Sequence, residues 1–246
     1  MKALEVALIA LDAALYAALG YLFSAVFPLT TPGLGLVRFW PQVIIPAVFA
    51  AVFGVRVGAL GAGIGIFISD MLLHGNAVLS LMAGVSSNMV MFAIIGYMAK
   101  KKVSWKFPLI GLGGVTALLV WISYMVLMSP PYGVEYQLAA AIIMVGTYIA
   151  IAIFVLFTKW KSYVLGSTLG LLVGSSIIAA MVPLFSEFFI MPGNTAIAPL
   201  GVTGGLVYLI WTFSTEIPFL LALGPPIIAA IYRAFPNLRV KETPRE

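Results

Sequence analysis

Residues 37–102 read VRFWPQVIIPAVFAAVFGVRVGALGAGIGIFISDMLLHGNAVLSLMAGVSSNMVMFAIIGYMAKKK, and this stretch decides the fold. Three apolar runs lie in it, with almost no charge in their interiors. Arg38 and Trp40 stand before the first. A Gly-Val-Arg-Val-Gly turn, Gly54 to Gly58, joins the first run to the second. Asp70, His74 and Asn76 gather at the far end of the second, and the third closes on Lys100, Lys101 and Lys102. Runs of about 20 apolar residues have the length of a bilayer crossing. Backbone in lipid has no water to satisfy its N–H and C=O groups, so each run is predicted to be helical. Polar side chains therefore collect at one membrane face beside a tightly turned helix pair. A pocket that takes a small molecule from outside has this layout.

Working outward, composition extends the reading to the whole chain. Apolar residues make up 63% of its 246 residues and charged residues 9%, against about 25% charged in a soluble domain. An aqueous fold of this length cannot hide so much apolar surface. The net charge of +5 comes from short Lys/Arg clusters at the ends of apolar runs. There they set topology and do not form a nucleic-acid face. The absence of cysteine excludes thiol chemistry and disulfides, and a single histidine argues against a nitrogen/sulfur zinc site. No metal site and no cofactor is expected.

Hydropathy marks spans near 4–27, 37–53, 57–73, 77–99, 107–128, 137–158, 163–185 and 201–233. The first follows Lys2 and runs too long, without a compact small-residue cleavage site, to be a secretory leader. The second and third are short and are expected to tilt or dip. The last is expected to break at Gly204-Gly205 and Pro218 and to bend again at Pro225-Pro226. With the N-terminus inside, every Lys and Arg except Arg38 falls on the cytoplasmic side. The fold class is an all-α polytopic membrane protein, a bundle of six to eight transmembrane helices with both termini cytoplasmic. The lower count holds if 163–185 or the last segment is re-entrant. Residues 1–236 form one membrane domain, and 237–246 a short charged tail expected to be disordered.

The first span carries Ala10, Ala14 and Ala18 at spacing four, with Ala13 and Ala17 in a parallel row and Gly20 and Ser24 beyond. Residues four apart share a helix face, and small residues let two helices approach closely in lipid. The face either packs inside the bundle or docks a partner.

With that row in view, the chain resembles the substrate-binding membrane subunit, or S component, of energy-coupling factor transporters. Four features carry the resemblance: the alanine row; LVRFWPQVIIPAVFAAVFGVRVGALGAGIGIFISD, similar to the family's loop, second span, glycine turn and third span; HGNAVLSLMAGVSSNMVMFAIIGYMAKKK, similar to its fourth span; and the N-inside topology. The match covers about residues 4–102. The second half departs from it, because the family usually has six spans, so residues 107–246 take no role from it. The resemblance implies capture of a vitamin or related micronutrient from outside. It also implies docking through Ala10, Ala14 and Ala18 on a transmembrane coupling subunit, and two cytoplasmic ATPases as energy source. The chain has no GxxxxGK[ST] loop of its own.

The residues also point to a site without the family. Asp70 is an ionisable residue within a span, a functional candidate by default, or an interface residue reaching water. His74 and Asn76 follow it, as site residues or as ordinary loop positions. Arg38 is the one basic residue outside. It either clamps a carboxylate or phosphate or pairs with Asp70 or Glu135. Phe39 and Trp40 either stack on a flat ring or belong to an interfacial aromatic belt. Asn88 binds substrate or joins helices. Asp12 is a packing or partner residue. Glu216, mid-span, binds substrate or carries a proton. Glu135, Tyr132 and Tyr136 lie where a lid is expected, and Glu187 and Asn194 are weaker candidates of that kind.

The expected substrate-binding set is therefore Arg38, Trp40, Asp70, His74, Asn76, Asn88, Glu135 and Glu216. An ion-coupled secondary transporter using Glu216 and Asp70 is the rival reading. An enzyme is not expected, because no HExxH, no GxSxG and no carboxylate pair at helical spacing occurs within a span.

Overall fold

Among the described residues seven helices account for most of the chain, and glycines and prolines set several of their limits. The computed structural model describes residues 2–31, 34–104, 106–127, 159–192 and 199–238, with single helical positions at 142, 145, 146, 149 and 153. In order these helices are α1 (Ala3–Val26), α2 (Ile44–Phe53), α3 (Val55–Leu73), α4 (Ala77–Ala99), α5 (Lys106–Leu127), α6 (Lys161–Phe188) and α7 (Gly201–Ala234). Five of them, α1, α3, α4, α6 and α7, are long and apolar enough to cross a membrane. Among the described residues the only β-pairing is one antiparallel bridge, Thr30 to Arg38. Most of the expected span 137–158 lies outside the described residues, as do Glu135, Tyr132, Tyr136, Asn194 and the tail from Arg239.

The second expected span holds a shorter helix than expected. It is a 3-10 turn, Pro41–Val43, leading into the ten-residue helix α2. Ten residues rise about 15 Å, half of a hydrocarbon core of about 30 Å. The prolines explain the late start. Pro41 lies in the first turn, and Pro46 is the third residue of α2. Each lacks an N–H, which only the first turn of a helix can spare. Before this turn the chain forms a short hairpin: Phe39 N donates to Leu29 O at 2.9 Å and Thr31 N to Val37 O at 2.8 Å. Irregular backbone at membrane depth is tolerated when protein covers it, and Trp40 to Ile44 are buried.

Helix α7 also differs from expectation. It runs unbroken through Gly204-Gly205, Pro218, Pro225 and Pro226 for 34 residues, about 51 Å at the standard rise. Ile217, Leu220 and Leu221 are buried, and the Tyr163 hydroxyl of α6 donates to Leu220 O at 3.1 Å.

Close approach of backbones holds the bundle together, as lipid-exposed helices require. On α3, Gly61 and Gly65 face α1: a Cβ at Gly65 would lie 2.8 Å from Ala13 O and against Tyr16. On α6, Gly166, Gly170 and Gly174 form the same kind of row against α4, where a Cβ at Gly170 would lie 2.7 Å from Met91 O. The two alanine rows of α1 thus separate. Ala13, Ala17 and Gly20 are buried inside the bundle, while Ala10, Ala14 and Ala18 are exposed. Asp12 lies on the packed side, 0% exposed, against Gly61.

The α2–α3 connection is one residue, Gly54, at φ 109°. A side chain is strained in that region. A Cβ there would also meet the Lys100 ammonium at 3.1 Å, which places the turn beside the basic end of α4. Ser162 Oγ donates to Lys101 O, and Trp160 stacks on Tyr232, so the adjoining ends of α6 and α7 lie at this same end. Gly54→Ala is expected to cost about 1–3 kcal/mol and lower the unfolding midpoint in detergent. Gly111→Ala, in open space on α5, is the control expected not to lower it.

Candidate functional site

At the opposite end of the bundle the hairpin covers a cavity of about 110 Å³. Its alternation aims the residues. Arg38 and Trp40 line the cavity, while Phe39 between them turns away, edge-on to Phe219 of α7 at 5.5 Å. Phe39 is therefore not a ring-stacking group of this site. The hairpin is anchored by Leu34, Leu36 and Val37, which pack on a cluster that includes Leu79, Val182 and Phe185.

The far wall is α3 and α4. Asp70 and His74 sit one turn apart, with His74 Nε2 3.4 Å from Asp70 Oδ1. The Asn76 backbone N–H donates to His74 Nδ1 at 3.2 Å. That leaves Nε2 as the protonated nitrogen of a neutral ring, facing the carboxylate. Ser80 Oγ donates to Asp70 Oδ2 at 2.6 Å. Asp70 is thus held by His74 and Ser80 and not by Arg38. Asn76 itself is a helix cap: its side chain accepts from Leu79 N at 2.9 Å. It is not among the residues that line the cavity.

Ser80–Val85 at the start of α4 is a turn of π-helix. Such turns shift the backbone hydrogen bonds of a helix and recur at functional sites. Here the Gly84 carbonyl receives two side chains, Ser87 Oγ at 3.0 Å and Asn88 Nδ2 at 2.8 Å. Gly84 also lets Asp70 come close, since a Cβ there would lie 2.5 Å from Asp70 Oδ2.

Behind the cavity runs a buried chain of hydrogen bonds. Trp40 Nε1 donates to the Tyr16 hydroxyl at 2.9 Å, which donates to Asn88 Oδ1 at 2.7 Å. Trp40 is 8% exposed, so it belongs to the core and not to an interfacial belt. Asn88 joins helices through this chain and also lines the cavity. Glu216 of α7 is 6% exposed and completes the wall. Among the described residues it has no hydrogen-bond partner.

The hairpin carries Arg38 outside the helices. Its Nη1 is buried and has no hydrogen-bond partner among the described residues. Burial lowers its affinity for its proton below the usual arginine value, and the nearby Asp70 carboxylate opposes that shift. Six expected site residues therefore meet in one cavity: Arg38, Trp40, Asp70, His74, Asn88 and Glu216. Glu187 and Asp12 do not line it. Tyr16, Ser80 and Gly84 belong to the site's framework and went unread in the sequence. Ser80 was legible there as part of an Asn-x-x-x-Ser helix start beside Asp70. Tyr16 carried no sequence signal.

The arrangement offers a guanidinium with a free donor on one side, a carboxylate on another, and apolar walls of Ile66, Leu79, Ile178 and Val182 between. It can hold a small polar ligand in an orientation fixed by charge. Among the described residues no group of three or more His, Cys, Asp or Glu side chains could hold a metal ion. No protein-family model matches the chain, and neither a curated protein nor a solved structure does.

Proposed function

We propose that this chain is the membrane-embedded capture subunit of an ATP-driven importer of the energy-coupling factor type, binding a vitamin precursor or similarly small micronutrient from outside. The observation that carries the reading is the cavity with Arg38 in its lining, where the buried Nη1 has no hydrogen-bond partner among the described residues. A buried guanidinium donor without a partner is costly, and a ligand acid would supply one. The size favours a small compound, since an apolar cavity of about 150 Å³ takes benzene. Residues 36–40 of the hairpin act as the cover, contributing Leu36, Val37, Arg38 and Trp40 to the cavity lining. Both termini lie in the cytoplasm with the basic end of the bundle, and the chain resides in the cell membrane as a multi-pass protein.

Energy enters through partners, a transmembrane coupling subunit and two cytoplasmic ATPases. The exposed Ala10, Ala14 and Ala18 face suits a partner helix, because its small side chains allow close approach. Ala14→Leu is expected to weaken co-purification with the coupling subunit about tenfold or more, with the unfolding midpoint and ligand affinity unchanged. Ala13→Leu, on the buried row, is expected to lower the midpoint instead. A loss of ligand affinity in Ala14→Leu would remove the docking assignment.

The direct test is native mass spectrometry of the gently purified protein, with identification of the compound it releases. A stoichiometric small molecule supports capture. An empty protein that moves solute in liposomes under an ion gradient alone refutes it, in favour of a secondary transporter working through Glu216 and Asp70.

A further inference from the structure

A second chamber of about 20 Å³ opens behind the main cavity, and the two share Trp40, Asn88, Ile178 and Glu216. One water needs about 10–15 Å³ measured in this way, so the chamber admits a single small head group and no ring. Its lining is mixed: Met91, Leu171 and Ile178 form apolar walls, and oxygen-bearing side chains interrupt them. Tyr16, Asn88, Ser175, Thr212 and Glu216 contribute to it from α1, α4, α6 and α7, and no Lys, Arg or His does.

Thr212 is the unusual member. Hydroxyls inside a helix commonly return to the carbonyl four residues back. Thr168, Ser175 and Thr215 do so here, at 2.9, 2.6 and 2.7 Å, while Ser69, Ser167 and Ser214, which do not line the chamber, have no partner among the described residues. Thr212, 2% exposed, makes no such return bond, and its Oγ1 has no partner among the described residues. It lies one helical turn before Glu216, on the same face of α7. A carboxylate and a hydroxyl unpartnered among the described residues therefore line one small chamber. Asn88 Oδ1 takes only one hydrogen bond, from Tyr16, and an amide oxygen has two lone pairs.

A primary ammonium suits this set. It is compact, positively charged, and carries three donors with no acceptor. An ionised Glu216 carboxylate buried here is stabilised by such a counter-charge. At the outer end the polarity is opposite, because Arg38 has a free donor while Asp70 is already held by Ser80 and His74. We propose, resting on the capture reading above, that the ligand is a small zwitterion. It sets a primary amine in the deep chamber against Glu216 and Thr212, and an acidic group beside Arg38.

The test is calorimetric binding to the full chain in nanodiscs, in potassium buffer. The probes are the unbranched ω-amino acids from β-alanine to 6-aminohexanoate, each with its matched n-carboxylate and n-alkylamine, and sodium chloride alone. One chain length is expected to bind about tenfold or more tighter than both its matched acid and its matched amine. Glu216→Gln and Thr212→Val should each erase the advantage over the acid, and Thr212→Val should leave acid binding within about twofold. Arg38→Gln should erase the advantage over the amine. Thr212→Val keeps the volume of the side chain, so it decides the matter if Glu216→Gln fails to fold.

An amino acid that binds no better than its acid overturns the proposal and leaves the chamber to water. Sodium-dependent stabilisation that vanishes in Glu216→Gln, with every amino acid inert, overturns it in favour of an ion site. Failure of the whole series also overturns the zwitterion. The capture reading is judged separately, by the compound the protein releases: one without a basic nitrogen refutes the zwitterion and leaves capture standing.

Discussion

Arg38→Ala should weaken binding of the compound released from the purified protein by about 10- to 150-fold, the equivalent of about 1.5–3 kcal/mol for a hydrogen bond to a charged group. The unfolding midpoint should hardly move, because Arg38 is not ion-paired with Asp70 and its Nη1 has no partner among the described residues to lose. Arg38→Lys should recover part of the affinity. It restores the charge without the planar fork, so the recovery measures how much of the contact is bidentate. Competition binding on detergent-purified variants reads both. An Arg38→Ala protein that binds normally but unfolds earlier would make Arg38 a clamp for the hairpin and remove it from the ligand.

Trp40→Ala carries the other large effect. Trp40 fills the space beside Gly20, where a Cβ would lie 2.7 Å from the indole. It sits edge-on to Tyr16 at 6.2 Å and holds the Tyr16 hydroxyl through Nε1. Truncating a buried tryptophan costs about 3–5 kcal/mol, so the unfolding midpoint should fall steeply. Binding should fall with it, because Trp40 lines both the main cavity and the deep chamber. Trp40→Phe keeps most of the ring and loses only the donor, so it should cost about 1 kcal/mol. A stable Trp40→Ala protein would mean that the hairpin folds back without its anchor.

Local spacing made part of the site legible. Asp70 and His74 are four residues apart on one helix, and that distance is fixed wherever the helix lies. Asn76 shows the limit of the same logic. Its position before an apolar run fits a helix cap as well as a ligand contact, and it caps. Phe39 was a false partner for Trp40, because neighbours on an extended strand face opposite ways. The deep chamber escaped notice because its oxygens come from four helices, and each is an ordinary Ser, Thr, Tyr or Asn when read alone.

What the sequence determined by itself is an all-α class of apolar helices and the ends of most of those described. Hydropathy, the prolines of α2, Gly54 and the lysine clusters act on the chain one segment at a time, so their effect needs no neighbour. Tertiary structure alone decided which face of each helix turns inward. In lipid the outside of a helix is as apolar as its inside, so no hydrophobic pattern separates Ala13 from Ala14 or marks Gly170 as a contact. Tertiary structure also brought Arg38 to the same cavity as Glu216, from opposite ends of the chain. Close backbone packing at Gly61, Gly65 and Gly170 sets those helix faces, and the cavity follows from where the packing leaves space.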